Sequence, residues 1–350
     1  MRVLFGTLAG SLLLNSVPAT KEENVNVLVI GGSGLFGRKT VLHLLADKAV
    51  DSVTSMDIAP PFDWFLKAVE KHKDRFHFIR GEVSELEDIL NAMKMYKIDR
   101  VVNWAFVMGA NVNTDPRLAT KVNALGMCNA FEAARLMGAN RVVYASSETV
   151  YGPQNMYGDR DVVEDDQLYP SHSYAVCKRF AEILADQYSA QYGMKFTGVR
   201  PCIGYGHGGR SPAQYWSDMP SFTAVGKSFA MEMDGTDLSS LVAADDLGEF
   251  TKILIKADSS PHPVYNVGGP ATSPRDLAAA VKKYIPDAKI TFGKRKTPPG
   301  MGLPWKVSMA RAIADFGFSC MPLEKAVLLH INDARLEAGL PPIKAAPKKK

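Results

Sequence analysis

Short apolar runs alternate with longer stretches of helical spacing along the first part of the chain. Residues 26–30, 52–56, 76–79, 100–105 and 141–145 are rich in valine and other β-formers and too short for helices, which predicts five strands. Between them, residues 38–47, 86–95 and 116–137 carry apolar positions at helical spacing. A further helix is expected from Tyr174 through Tyr192, then a sixth strand over 195–200. Strand and helix in strict alternation make βαβ units, hence a parallel sheet with helices on both faces. The fold class is therefore α/β, a doubly wound parallel sheet over residues 25–200.

Beyond residue 200 the texture changes. Residues 204–212 are glycine-rich, and Pro261, Pro263, Pro270, Pro274, Pro286, Pro298, Pro299 and Pro304 cut the remainder into short elements. This pattern predicts a smaller C-terminal lobe, mainly 201–345, covering the sheet's C-terminal edge, with some segments returning to the sheet. No internal repeat is visible.

Composition narrows the class. The 350 residues are 46% hydrophobic and 22% charged, ordinary values for a globular protein. Of the formal charge of +4, three units come from Lys348, Lys349 and Lys350, so the body is near neutral and calls for neither nucleic acid nor an anionic membrane. The four cysteines form no C-x-x-C pair and the seven histidines no H-x-x-x-H pair, so no metal is expected. Residues 1–24 read as an N-terminal extension of a cytoplasmic protein. The alternative is an export leader, because Arg2 precedes an apolar stretch over 3–14 and Val17-Pro18-Ala19 has the small residues of a cleavage site.

Two motifs carry chemistry. Gly31-Gly32-Ser33-Gly34-Leu35-Phe36-Gly37 follows the first strand and opens the first helix. Glycines at 31, 34 and 37 allow a tight turn, close approach of backbone to a pyrophosphate, and packing of helix on strand. The helix N-terminus adds free N–H groups and partial positive charge. Asp57 ends strand two, 20 residues past Gly37, where a carboxylate accepts from ribose hydroxyls and repels a 2′-phosphate. NAD is thereby preferred over NADP, although Arg38 is placed to hold that phosphate instead.

The second motif is Tyr174-Ala175-Val176-Cys177-Lys178, which sets phenol and ammonium on one helix face. A phenol near pKa 10 needs a neighbouring cation to serve as a proton-transfer group at neutral pH, and Lys178 is expected to lower it. Ser147, just past strand five, supplies a hydroxyl to polarise a substrate oxygen. Cys177 has no paired histidine and reads as a packing residue.

These residues, with Gly81-Glu82-Val83, Asn103-Trp104-Ala105, Asn123, the 146–152 segment Ser-Ser-Glu-Thr-Val-Tyr-Gly, Arg200-Pro201, Asp245-Asp246 and the 265–269 segment Tyr-Asn-Val-Gly-Gly, resemble an extended short-chain dehydrogenase/reductase of the NAD-dependent epimerase/dehydratase type. The resemblance runs from Val27 to about Gly269. It implies a Rossmann fold, catalytic Ser147, Tyr174 and Lys178, and a homodimer. The dinucleotide site it implies comprises Gly31, Ser33, Gly34, Leu35, Phe36, Gly37, Asp57, Glu82, Val83, Trp104, Ala105, Asn123, Tyr174, Lys178 and Pro201. Glu82 stands where the family usually has the shorter Asp.

Departures from the pattern narrow the chemistry. The dehydratase branch has Thr-Asp-Glu where this chain has Ser147-Glu148-Thr149, so the second acid is missing. Ile203 replaces the Asn that meets a substrate diphosphate in nucleotide-sugar enzymes, and Ser239 lies near the position of an Arg with the same task. Arg210 is the available substitute. The first reading is an NAD-dependent dehydrogenase or reductase acting at a secondary alcohol or ketone of a sugar, polyol or similar small substrate. The second is a nucleotide-sugar epimerase that oxidises its substrate transiently, and the third a dinucleotide-sensing protein without catalysis.

Of the remaining residues, the acidic stretch Asp159, Asp161, Glu164, Asp165 and Asp166 reads as a solvated loop. Asp245 and Asp246 read as caps of a helix starting near Leu247. Trp104 and Phe106 read either as walls of a nicotinamide pocket or as core. Trp216, Met219 and Phe222 either line a substrate pocket or pack the lobe.

Overall fold

The computed structural model describes residues 25–296 and 302–344. The N-terminal extension 1–24, Pro298, Pro299 and the terminal lysines lie outside the described residues. Through the first half the order is β1 (Val25–Ile30), α1 (Leu35–Ala46), β2 (Val50–Asp57), α2 (Asp63–Val69), β3 (Phe76–Arg80), α3 (Leu86–Met95) and β4 (Arg100–Asn103). Short helices α4 (Ala110–Thr114) and α5 (Pro116–Thr120) lead through a π-helical turn, Lys121–Leu125, into α6 (Gly126–Leu136). Then come β5 (Arg141–Ala145), α7 (Ser173–Tyr192) and β6 (Lys195–Pro201).

Later segments are β7 (Ile203–Tyr205), α8 (Tyr215–Ala224), β8 (Phe229–Met233), β9 (Ser239–Ala243), α9 (Ala244–Lys256) and β10 (Val264–Val267). They are followed by β11 (Ala271–Thr272), α10 (Pro274–Tyr284), β12 (Ile290–Arg295), α11 (Ala310–Phe316) and α12 (Leu323–Glu337).

Seven strands form one parallel sheet in the order β10-β6-β5-β4-β1-β2-β3. The alternation of side chains along a strand explains why β1 is apolar at nearly every position. Val27 and Val29 point into one core with Val41 and Leu44 of α1 and Leu247, Phe250 and Leu254 of α9. Leu28 and Ile30 point into the opposite core with Ile89 of α3, Phe131 of α6 and Ala181 of α7. A third core gathers Trp216, Met219, Leu241, Leu277, Val281, Val327 and Ile331 from α8, β9, α10 and α12.

The helix expected over 116–137 is present but interrupted by the π turn at its second quarter. The inserted residue rotates the helix face and turns Asn123 inward, where it is 2% exposed. Periodicity alone does not register such a local change of pitch.

Candidate active site

The turn after β1 is held from three sides. Gly31 has φ +77°, and a Cβ there would lie 2.7 Å from Ala105 N and 2.8 Å from Trp104 C. At Gly37 a Cβ would come within 2.1 Å of Gly31 O, so α1 packs on the turn only without a side chain. Both Gly31 N (2.8 Å) and Gly32 N (3.3 Å) donate to Met56 O, fixing the turn on β2. No side chain caps the N-terminus of α1 and no acid lies in its first turn, which leaves its N–H groups to an anion.

Asp57 is anchored at the edge of this turn. Its carboxylate accepts from Ser33 N at 3.0 Å and Ala59 N at 3.1 Å, while Ser33 Oγ donates to Ala59 O. Arg38, considered above as a 2′-phosphate partner, is only 2% exposed. It donates to Ser33 O and His207 O, both at 2.8 Å, and its guanidinium lies 5.1 Å and 5.2 Å from the Phe62 and Trp64 ring centres. Burial lowers its pKa to about 10, so it stays cationic at neutral pH while its two terminal nitrogens hold backbone carbonyls and its Nε is left without a partner.

Several side chains expected at the cofactor face elsewhere. The Trp104 indole donates to Thr40 Oγ1 at 2.9 Å and packs edge-on to Phe36 at 5.3 Å, deep in the core beneath α1. The Trp104–Ala105 backbone borders the glycine turn, and of the two readings of the Trp104 ring, pocket wall or core, its packing agrees with core. Phe36 abuts Gly204 and Leu35 abuts Gly206, and both side chains are half-buried. Val83 is buried against Gly126 in the core. Glu82 is tied to Ser84 Oγ (2.6 Å) and faces Lys121 at 3.5 Å; the Ser84 bond and the Lys121 charge hold its pKa below the usual range. Asn123 Nδ2 donates to Val107 O and its Oδ1 accepts from Val107 N, both at 2.8 Å, pinning the segment after β4. Pro201 is buried at the end of β6.

Ser147, Tyr174 and Lys178 do come together. Tyr174 and Lys178 occupy successive turns at the start of α7, and Ser147 lies close enough to the phenol to stabilise its anion. Lys178, 1% exposed, donates to Ala145 O at 2.9 Å, with Nζ 5.4 Å from the Tyr174 ring centre and 4.8 Å from that of Phe106. Phe106 is the residue that sequence reasoning left undecided. Its ring lies 6.2 Å from Tyr174 and 6.3 Å from Phe36, bridging Tyr174 and Lys178 to the glycine turn.

The expectation that Lys178 lowers the phenol's pKa is not what the side chains show. Burial dominates both groups, raising Tyr174 well above its ordinary value and bringing Lys178 down to about 7. The Lys178 ammonium hydrogen-bonds a carbonyl instead of the phenol oxygen, so desolvation wins.

Behind the pair, Arg200 forms a buried ion pair with Glu182 at 2.7 Å and donates to Tyr151 Oη at 2.7 Å. Glu164, expected in a solvated loop, is 6% exposed; it accepts from Asn266 N at 2.9 Å, and its carbonyl accepts from Arg200. Asp165 meets Arg311 and Asp166 meets Arg160, each at 2.6 Å. Glu164 alone of the five acids is turned inward, which corrects its reading as solvated, while Asp159, Asp161 and Asp165 remain exposed. Asp245 and Asp246 lie within the first turn of α9 and do not cap it, since Ala243 holds the N-cap position. Asp245 pairs with buried Lys39 at 2.9 Å, and Asp246 accepts from Met321 N at 3.0 Å.

Glu148 is buried beside Ser147 and approaches the Cys202 thiol; burial pushes its pKa well up. Trp216 and Met219 are fully buried lobe core, while Phe222 is exposed. Among the described residues no cluster of His, Cys, Asp and Glu could hold a metal ion, and no helix is long and apolar enough to cross a membrane.

Comparison with known proteins gives a consistent picture. The model of the NAD dependent epimerase/dehydratase family matches residues 27–268. The UDP-glucose 4-epimerase of Mycolicibacterium smegmatis is 27% identical over 266 residues, 73% of this chain and 82% of that protein. Among solved structures, the NAD complex of the Thermus thermophilus UDP-glucose 4-epimerase has a TM-score of 0.73 at 24% identity, covering 89% of this chain and 99% of that one. An L-threonine dehydrogenase of Cupriavidus necator in its holo form has a TM-score of 0.73 at 21% identity, covering 90% and 100%.

Proposed function

This chain belongs to the NAD dependent epimerase/dehydratase family, a family of enzymes, and from that premise we propose an NAD-dependent oxidoreductase acting at a secondary alcohol or ketone of a sugar, polyol or similar small substrate. The observation that carries this reading is the meeting of the Tyr174 phenol, the Ser147 hydroxyl and the buried Lys178 ammonium, joined through Phe106 to the glycine turn.

The turn suits a dinucleotide: a Cβ would fill it at Gly31 and Gly37, and the α1 N–H groups lack side-chain caps. Asp57 faces the ribose edge, and Arg38 is engaged by Ser33 and His207, so NAD is favoured over NADP. NAD supplies the hydride acceptor or donor at its nicotinamide ring. Tyr174 passes a proton between its Oη and the substrate oxygen, and Ser147 orients that oxygen. A neutral phenol is poised to donate, which suits ketone reduction; in alcohol oxidation the Ser147 hydroxyl beside it is the group that favours its ionised form.

In this reading residues 201–345 mainly form the substrate-binding lobe. The protein is a cytoplasmic homodimer in which exposed Val176, Phe180 and Ile183, one turn apart on α7, meet their symmetry mates. The second reading, a nucleotide-sugar epimerase, is favoured by the identity to the mycobacterial epimerase and disfavoured by Ile203 and Ser239.

NADH formation with a panel of sugars, polyols and hydroxy acids, beside UDP-sugar interconversion without net NADH, separates the two. Tyr174→Phe should abolish either activity while NAD still binds. Full activity of that variant, or failure of the wild type to bind NAD, would overturn the proposal.

A further inference from the structure

A second set of chemistry-bearing side chains meets where α8, α12 and the glycine-rich loop after β7 come together. Ser221 Oγ lies 3.0 Å from His207 Nδ1 and 2.8 Å from His330 Nε2. The other ring nitrogen of His207 lies 2.7 Å from Glu337 Oε2. Four side chains from three separate segments thus form one continuous run of hydrogen bonds.

The direction of each bond follows from one atom. His330 is 3% exposed, and burial brings its pKa to about 3, so it is neutral and carries a single ring proton. Its Nδ1 is buried near the Ser217 backbone but makes no well-formed hydrogen bond among the described residues. A buried N–H left unpaired is rarer than an unpaired acceptor, so the proton sits on Nε2 and is donated to Ser221 Oγ. Ser221 then points its own proton at His207 Nδ1, and the His207 proton sits on Nε2, donated to Glu337. A hydroxyl is thereby held by a base that a carboxylate orients, while a second histidine steadies the oxygen as its proton leaves.

The run reaches solvent at one end. Ser221 and His207 are half-buried, and Glu337 is exposed. Exposed apolar side chains stand beside them: Phe222 follows Ser221, Leu336 precedes Glu337, and Phe62 stacks on Trp64, whose ring lies 5.7 Å from that of His207. Such a rim favours an uncharged, apolar acyl group.

We propose that Ser221, His207 and Glu337 form a second catalytic site, which hydrolyses small carboxylic esters with an apolar acyl group. The proposal goes beyond the redox reading and does not depend on it. Ser221 Oγ attacks the ester carbonyl carbon while its proton passes to His207 Nδ1, and Glu337 holds the imidazolium. That proton then leaves with the alcohol as the ester C–O bond breaks, which leaves an acyl-Ser221. Water, deprotonated by His207, attacks the acyl carbon, releases the carboxylic acid and restores the serine hydroxyl.

The test uses the full-length protein without added NAD, so its result is separate from the redox assays. Release of p-nitrophenolate from p-nitrophenyl butyrate is followed, and the protein is treated with diisopropyl fluorophosphate and mapped by peptide mass spectrometry. Ser221→Ala should lower kcat/KM by at least ~100-fold, the range of an assisted nucleophile. Glu337→Gln, at an exposed position that the fold tolerates, should lower kcat by about tenfold or more with KM nearly kept. The phosphoryl label should fall on Ser221 in the wild type, a readout that needs no variant to fold. Hydrolysis no faster than with free histidine at equal concentration, a rate untouched by Glu337→Gln, or a label on another residue overturns the second site.

Discussion

Replacing Lys178 by methionine should make the cofactor-free protein more stable while stopping its chemistry. Lys178 is 1% exposed, and burial brings its ammonium from 10.5 to about 7. At ~1.4 kcal/mol per pH unit, that displacement corresponds to a folding penalty of roughly 5 kcal/mol when the unfolded chain holds the proton. Its sign follows from proton counting. Between pH 7 and 10.5 the unfolded chain binds the proton and the folded one does not, so wild-type stability rises with pH across that window. Below pH 7 the penalty is fully present, and above 10.5 it is gone.

Methionine keeps the length and apolar stem but forfeits the bond to Ala145 O, a loss of about 1–2 kcal/mol. The net expectation is therefore a gain of about 3 kcal/mol at pH 6, shrinking steadily towards pH 10. Urea unfolding of both proteins at pH 6, 7.5 and 9 measures it directly. A variant less stable than wild type at pH 6, or a difference independent of pH, would refute the reasoning. Activity should fall by at least ~100-fold, as for loss of a group supporting proton transfer.

Other perturbations probe the turn and its supports. Gly31→Ala forces a side chain into left-handed backbone 2.7 Å from Ala105 N, and should destabilise by at least ~2 kcal/mol and weaken NAD binding, read by thermal shift with and without NAD. Asn123→Ala strips both partners from Val107, and the urea midpoint should report about 2–4 kcal/mol; a change under ~0.5 kcal/mol would contradict the pinning role. Asp57→Asn removes a charge that repels a 2′-phosphate, so the NADP-to-NAD ratio of kcat/KM should rise about tenfold, and an unchanged ratio would count against the ribose assignment.

How far the sequence reached depends on how local each signal is. Alternating Val27 and Leu28 face opposite cores, so β1 and its neighbours are readable from short apolar runs alone. The glycine turn and the Tyr174/Lys178 spacing are readable for the same reason, since adjacent backbone decides both. What escapes are properties settled by distant partners. Arg38 is claimed by His207, Glu164 by Asn266, and Trp104 by Thr40, none of which spacing reveals. Whether burial or a nearby charge governs Tyr174 likewise depends on how closely the surrounding segments pack.

The position of β10 has a consequence for synthesis. It forms the outer edge beside β6, and α9 just before it covers the apolar face of α1. While the ribosome is still adding residues 201–263, the nascent sheet has β6 as an open border and Val41 and Leu44 bare to water. The dinucleotide half cannot mature as an early independent unit; its completion waits on chain that emerges late, and a fragment ending at residue 200 would be expected to aggregate.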